Sequence, residues 1–117
     1  LRQMLAANHD SCAPPSSAAA TLNDVATDGK LSVAIGSDAG ALVVATAGGL
    51  AGALARIALI VAEASVTGQW HRLKVCPNDG CQWVFWDSSR NRAGRWCTMS
   101  LCGNQSKVRA HRRRASL

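Results

Sequence analysis

Four of the five cysteines in this 117-residue chain are spaced for chemistry: Cys76 and Cys81 enclose four residues, Cys97 and Cys102 also enclose four, and fifteen residues separate the two pairs. Two tight pairs joined by an intervening stretch can aim four thiolates at one point, which is what a tetrahedral metal site needs. Soft sulfur ligands select Zn²⁺ over hard cations such as Mg²⁺ or Ca²⁺, although spacing alone leaves an iron–sulfur cluster open. A pair of disulfides in a small secreted domain is the other reading. Against it, the chain opens LRQMLAANHDSCAPPSS, without the basic start and apolar run of a secretory signal. Four thiolates close the coordination sphere and leave no position for water, so the expected metal is structural rather than catalytic. Cys12 reads as a small apolar residue, and His71, five residues before Cys76, is a spare donor that four cysteines make unnecessary.

Basic side chains gather around this constellation. The chain has a net charge of +6 and a pI near 9.6. Residues 1–70 hold three basic side chains against five acidic ones, a net of −2, whereas residues 71–117 hold ten against Asp79 and Asp87, a net of +8. Such asymmetry points to a polyanionic partner for the second part, nucleic acid first and an anionic membrane surface second. The candidate contacts are Arg90, Arg92 and Arg95 between the cysteine pairs and Lys107, Arg109, Arg112, Arg113 and Arg114 after them. Residues following Gly103 contain helix formers, and a basic helix rigidly joined to a zinc site can lie on or in a groove of duplex DNA. A solvated basic tail is the bland alternative.

The elements that must position these groups are legible in outline. Gln82–Asp87 is aromatic and β-branched enough for a strand, and Ser88–Arg95 reads as a basic turn. Trp83, Phe85, Trp86 and Trp96 are expected to pack around the metal, because so small a domain has little else to bury; use as a stacking platform for bases is the alternative. Upstream, a Pro-Pro and Ser-rich stretch leads into a short helix that closes at Asp28-Gly29. Leu31, Val33 and Ile35 alternate with small residues, Gly36–Gly40 is a turn, and Leu42–Ala45 is a second apolar run, together a hairpin. From Thr46 to Thr67 the spacing of Leu50, Leu54, Ile57, Ala58 and Val61 puts them on one helix face. Ala41–Ala62 is long enough to span a bilayer. It is Ala- and Gly-rich, however, and Arg56 inside it costs about 2.5 to 3.5 kcal/mol on insertion scales, so no membrane span is favoured. The fold class is α+β: a small helical and hairpin N-terminal part, residues 1–70, then a zinc-centred β-hairpin with a C-terminal basic helix, residues 71–117.

The chain is too short for a large multidomain enzyme. Asp79 and Asp87 read as isolated acids, and Gly48, Gly49 and Gly52 lack the spacing of a nucleotide fingerprint, so no enzyme is expected.

Cys76, Cys81, the string Phe85-Trp86-Asp87-Ser88-Ser89-Arg90-Asn91, Arg95-Trp96-Cys97 and Cys102-Gly103-Asn104 together resemble the bacterial CGNR zinc finger family. The resemblance covers Cys76 to Arg114 and implies that Cys76, Cys81, Cys97 and Cys102 are the metal ligands. In that family the metal domain closes proteins whose N-terminal part is called the ABATE domain, and they are regarded, largely by inference, as stress-related transcription regulators. Residues 13–70 would then be the remnant or divergent end of such a domain. The pattern departs at Gln105, which stands where the family has its namesake arginine; glutamine can still donate a hydrogen bond but brings no charge. The expectation is therefore a zinc-dependent DNA-binding transcription regulator, cytoplasmic and associated with the nucleoid. A small-molecule ligand or protein partner is open for the N-terminal part. An RNA- or ribosome-binding zinc module and a thiolate redox switch are the alternatives.

Overall fold

The computed structural model describes residues 1–116 and contains helices and two small antiparallel hairpins, an α+β architecture. The described residues form two compact units, one built from residues 15–70 and the other from residues 1–14 together with residues 71–116.

In the first of these, helix α2 (Ser16–Asp28) leads into strands β1 (Leu31–Ile35) and β2 (Ala41–Ala45), followed by helix α3 (Gly49–Val66). The hairpin forms where its turn chemistry places it. Gly36 N–H donates to the Gly40 carbonyl at 2.7 Å, the Asp38 carboxylate accepts from Gly40 N–H, and Ala39 takes the left-handed φ of 61° that closes the loop. Leu31 pairs with Ala45 and Ile35 with Ala41.

The buried stripe of α3 differs from the expected one. Gly52, Ala55, Ala58 and Val61 are buried, whereas Leu50, Leu54 and Ile57 are exposed. The reason is close approach of backbones. A Cβ on Gly29 would collide with the Ala55 methyl group, so α2 and α3 meet through small residues and Ala18 of α2 is buried with them. Larger aliphatic side chains cannot occupy a seam this narrow and turn outward. At 18 residues and a mean hydropathy of 1.7, α3 is long and apolar enough to cross a membrane by length and composition.

The second unit begins with helix α1 (Arg2–Asp10), which a division at residue 70 would place with the upstream part. The structure instead packs it against strand β3 (Leu73–Val75), which pairs with β4 (Val84–Trp86) in the register Leu73 to Trp86 and Val75 to Val84. Strands of three residues cannot form an independent sheet. Leu5 and Ala7 of α1 cover them, and with Val75, Cys76 and Cys102 they make the buried core of this unit. Side-chain bonds pin the helix down: Asn8 Nδ2 donates to the Leu73 carbonyl at 3.0 Å and Arg2 to the Gln82 carbonyl at 2.9 Å. A π-helical turn (Met99–Gly103) carries Cys102 and runs directly into α4 (Asn104–Ala115). The aromatic strand thus pairs with the segment just before Cys76.

Candidate metal centre and basic surface

The two cysteine pairs sit on two different local structures. The first, Cys76–Cys81, is a turn organised by Asn78: its carbonyl accepts from the N–H groups of Cys81 (2.8 Å) and Gln82 (3.0 Å), and its side-chain oxygen accepts from Gly80 N–H at 3.3 Å. Cys76 is held at the end of the hairpin by donating its N–H to the Trp83 carbonyl at 2.8 Å. The second pair spans an extended Thr98 and the π-helical turn, closed by Gly103 N–H donating to the Thr98 carbonyl.

These turns bring Cys76, Cys81, Cys97 and Cys102 together with all four sulfurs within 4.8 Å of one another. Sulfur separations of 3.7 Å are found for Cys81–Cys97 and Cys97–Cys102. A tetrahedron of sulfurs about 2.3 Å from a central zinc has edges of about 3.8 Å, and a disulfide would need about 2.05 Å. The arrangement fits the metal, and all five cysteines are free thiols. Burial, then the neighbouring sulfurs of Cys81, Cys102 and Cys76, push the Cys97 thiol up to about 12. A dication held by the four sulfurs would counter the effect of burial and neighbouring sulfurs on Cys97 and displace its proton, so metal binding would strengthen at higher pH. The metal supplies a charge-neutralising clamp between the turn after β3 and the start of α4. Cys12 is exposed, not a packed apolar residue, and neither it nor His71 joins the cluster.

Between the pairs lies an arrangement that sequence reasoning missed. Asp87 is not an isolated acid: it is buried and paired with the equally buried Lys74, Nζ to Oδ2 at 2.7 Å. Its other oxygen accepts from Ser89 N–H and from the Ser89 hydroxyl, and Gly94 N–H donates to Oδ2 at 2.9 Å. Burial alone would push this carboxyl up; the bonds from Lys74, Ser89 and Gly94 outweigh it and hold the group well below the usual carboxylate range. Lys74 also donates to the carbonyls of Arg92 and Gly94. Arg72 donates to those of Asp87 and Ser89, and His9 Nε2 lies 3.2 Å from that of Arg95. The basic turn is thus gripped from beneath by its own backbone carbonyls. Lys74 lies in β3 and Asp87 just past the end of β4, and three-residue strands give no periodicity from which to read that neighbourhood.

All eight predicted nucleic-acid contacts, Arg90, Arg92, Arg95, Lys107, Arg109, Arg112, Arg113 and Arg114, are exposed. On a helix advancing 100° per residue, Arg109, Arg112 and Arg113 share one face of α4 about 100° wide, and Lys107 and Arg114 lie roughly opposite. A cleft of about 270 Å³ between the Pro77–Asp79 turn and α4 is lined by Trp96, Ser106, Arg109 and Arg113. The aromatic residues correct the packing expectation in part. Phe85 and Trp96 are half-buried, but Trp83 is 69 % and Trp86 52 % exposed. Leu5 and Ala7 of α1, and not those two indoles, are among the buried apolar residues of this unit.

Residues 72–115 match the family model described as the CGNR zinc finger. A comparison with curated proteins gives no match.

Proposed function

We propose that the zinc module is a non-catalytic nucleic-acid-binding unit of a cytoplasmic, nucleoid-associated transcription regulator, with duplex DNA as its target. The observation that carries this reading is the fixed basic turn. Arg72, Lys74 and His9 hold its carbonyls from below, so Arg90, Arg92 and Arg95 project from an ordered backbone rather than a loose loop. Preorganised cations lose less conformational entropy on meeting phosphates than free ones. Arg109, Arg112 and Arg113 on α4, which follows directly on the ligand Cys102, would add further phosphate contacts. A sulfur-closed metal serves as the scaffold of such a module and does no chemistry. Residues 13–70 would be the remnant or divergent end of an ABATE-like domain that takes a ligand or protein partner.

Titration of a labelled duplex with the zinc-loaded chain at several salt concentrations tests this. If about five phosphates are neutralised, log affinity falls against log salt with a slope near −4.5. An affinity that ignores salt, or none at all, removes the reading. The exposure of Trp83 and Trp86 favours one second reading, a single-stranded RNA module in which the indoles stack on bases. Tighter binding to single strands than to duplex, with quenching of tryptophan fluorescence, would select it.

A further inference from the structure

We propose that Gln105 is a positioning residue of the metal site, holding the Asn78 carboxamide so that it donates a hydrogen bond to the Cys102 thiolate. The proposal rests on the metal centre and is independent of any nucleic-acid partner. Asn78 is 9 % exposed and uses every polar atom of its side chain. Oδ1 accepts from Gly80 N–H at 3.3 Å, which fixes which end of the amide faces the sulfur. Of the two protons on Nδ2, one goes to Cys102 Sγ at 3.4 Å and the other to Gln105 Oε1 at 3.2 Å. Gln105 therefore acts through its carbonyl, as an acceptor. It closes a relay from the first turn of α4, across the turn of the first cysteine pair, to a ligand of the second pair.

The chemistry of such a relay is specific. An N–H group donating to a coordinating thiolate draws charge from the sulfur, which disfavours its protonation and its attack by oxidants or electrophiles. Without the second acceptor, only the Gly80 bond at 3.3 Å still orients the Asn78 amide, and its Nδ2 can tilt from Cys102 toward water. Arginine at 105 could not replace glutamine here, because guanidinium has donors and no acceptor. Glutamate could.

The test measures zinc release from the full chain to a chromogenic chelator at about 0.5 M salt, where the Debye length is only several ångströms and charge at 105 is largely screened. Gln105 is exposed, so substitutions there leave the fold intact, as circular dichroism would check. Loss of an outer-shell partner typically costs 10- to 100-fold in metal affinity, and Gln105 stands one bond further out, so Gln105→Leu and Gln105→Arg are expected to release zinc roughly three- to tenfold faster. Gln105→Glu is expected to stay within about twofold of the parent. In the cobalt-loaded chain the same two variants should shift the thiolate-to-metal charge-transfer band to longer wavelength, while Gln105→Glu should not. Equal rates and spectra in all variants would overturn the proposal. So would the electrostatic order, in which arginine slows release beside the anionic sulfur cluster and glutamate speeds it.

Discussion

Replacing Asp87 by asparagine, which is nearly the same shape, tests whether the basic turn is held by its buried ion pair. The side chains of Lys74 and Asp87 are 5 % and 2 % exposed and lie 2.7 Å apart. Removing one member of a buried pair costs about 3 to 5 kcal/mol, because the remaining charge is left desolvated. Asparagine cannot adapt. Whichever way its amide turns, an NH₂ replaces an oxygen that now accepts from Gly94 N–H and Lys74 on one side, or from Ser89 on the other. Urea titration of the zinc-loaded chain, followed by tryptophan fluorescence with zinc in excess, should show a loss of about 3 to 5 kcal/mol in the transition of the metal-holding unit. The double variant Lys74→Met with Asp87→Asn should lose less than the sum of the singles by about 1 to 3 kcal/mol. The pH dependence has a definite sign. The Asp87 carboxyl is depressed in the folded chain, so its contribution is complete above the unfolded value of about 3.9 and fades only as the pH falls below it. The difference between parent and Asp87→Asn should therefore be flat from about pH 5.5 to 8. A loss under about 1 kcal/mol, or strict additivity of the two substitutions, would refute the reasoning.

Chelating the metal should unfold residues 71–117 and release α1 with them, because structural zinc contributes on the order of 10 kcal/mol to small domains; a near-UV signal from Trp96 that survives chelation would contradict this. Leu5→Ala should lower the stability of the same zinc-dependent transition by about 2 to 4 kcal/mol, since Leu5 is buried against the hairpin; hydrogen exchange showing α1 frayed in the parent would count against it. In the other unit, Ala55→Leu should cost about 1 to 3 kcal/mol by overfilling the seam between α2 and α3, whereas Leu50→Gln should be nearly neutral; thermal melts in which the two changes rank the other way would show the wrong helix face to be buried.

What the amino-acid order determined alone was chemistry confined to short stretches. Four cysteines in two four-residue brackets can reach one centre through local turns, so the metal site was readable from spacing, as were the Gly36–Gly40 turn and the presence of α2, α3 and α4. Decisions about burial needed partners far away in the chain. Helix α1 joins β3 across more than sixty residues, and Trp83 and Trp86 stay exposed rather than entering the core. Two members of the basic half, Arg72 and Lys74, turn inward to hold backbone carbonyls, and Asp87 becomes their buried counterpart only because β3 and β4 lie side by side. The narrow contact of Gly29 with Ala55 buries the small face of α3 where periodicity favoured the large one. Ligand geometry is set by a side chain's own type and its immediate turn, whereas burial and ion pairing are set by what packs against it, and that is fixed only when distant segments meet.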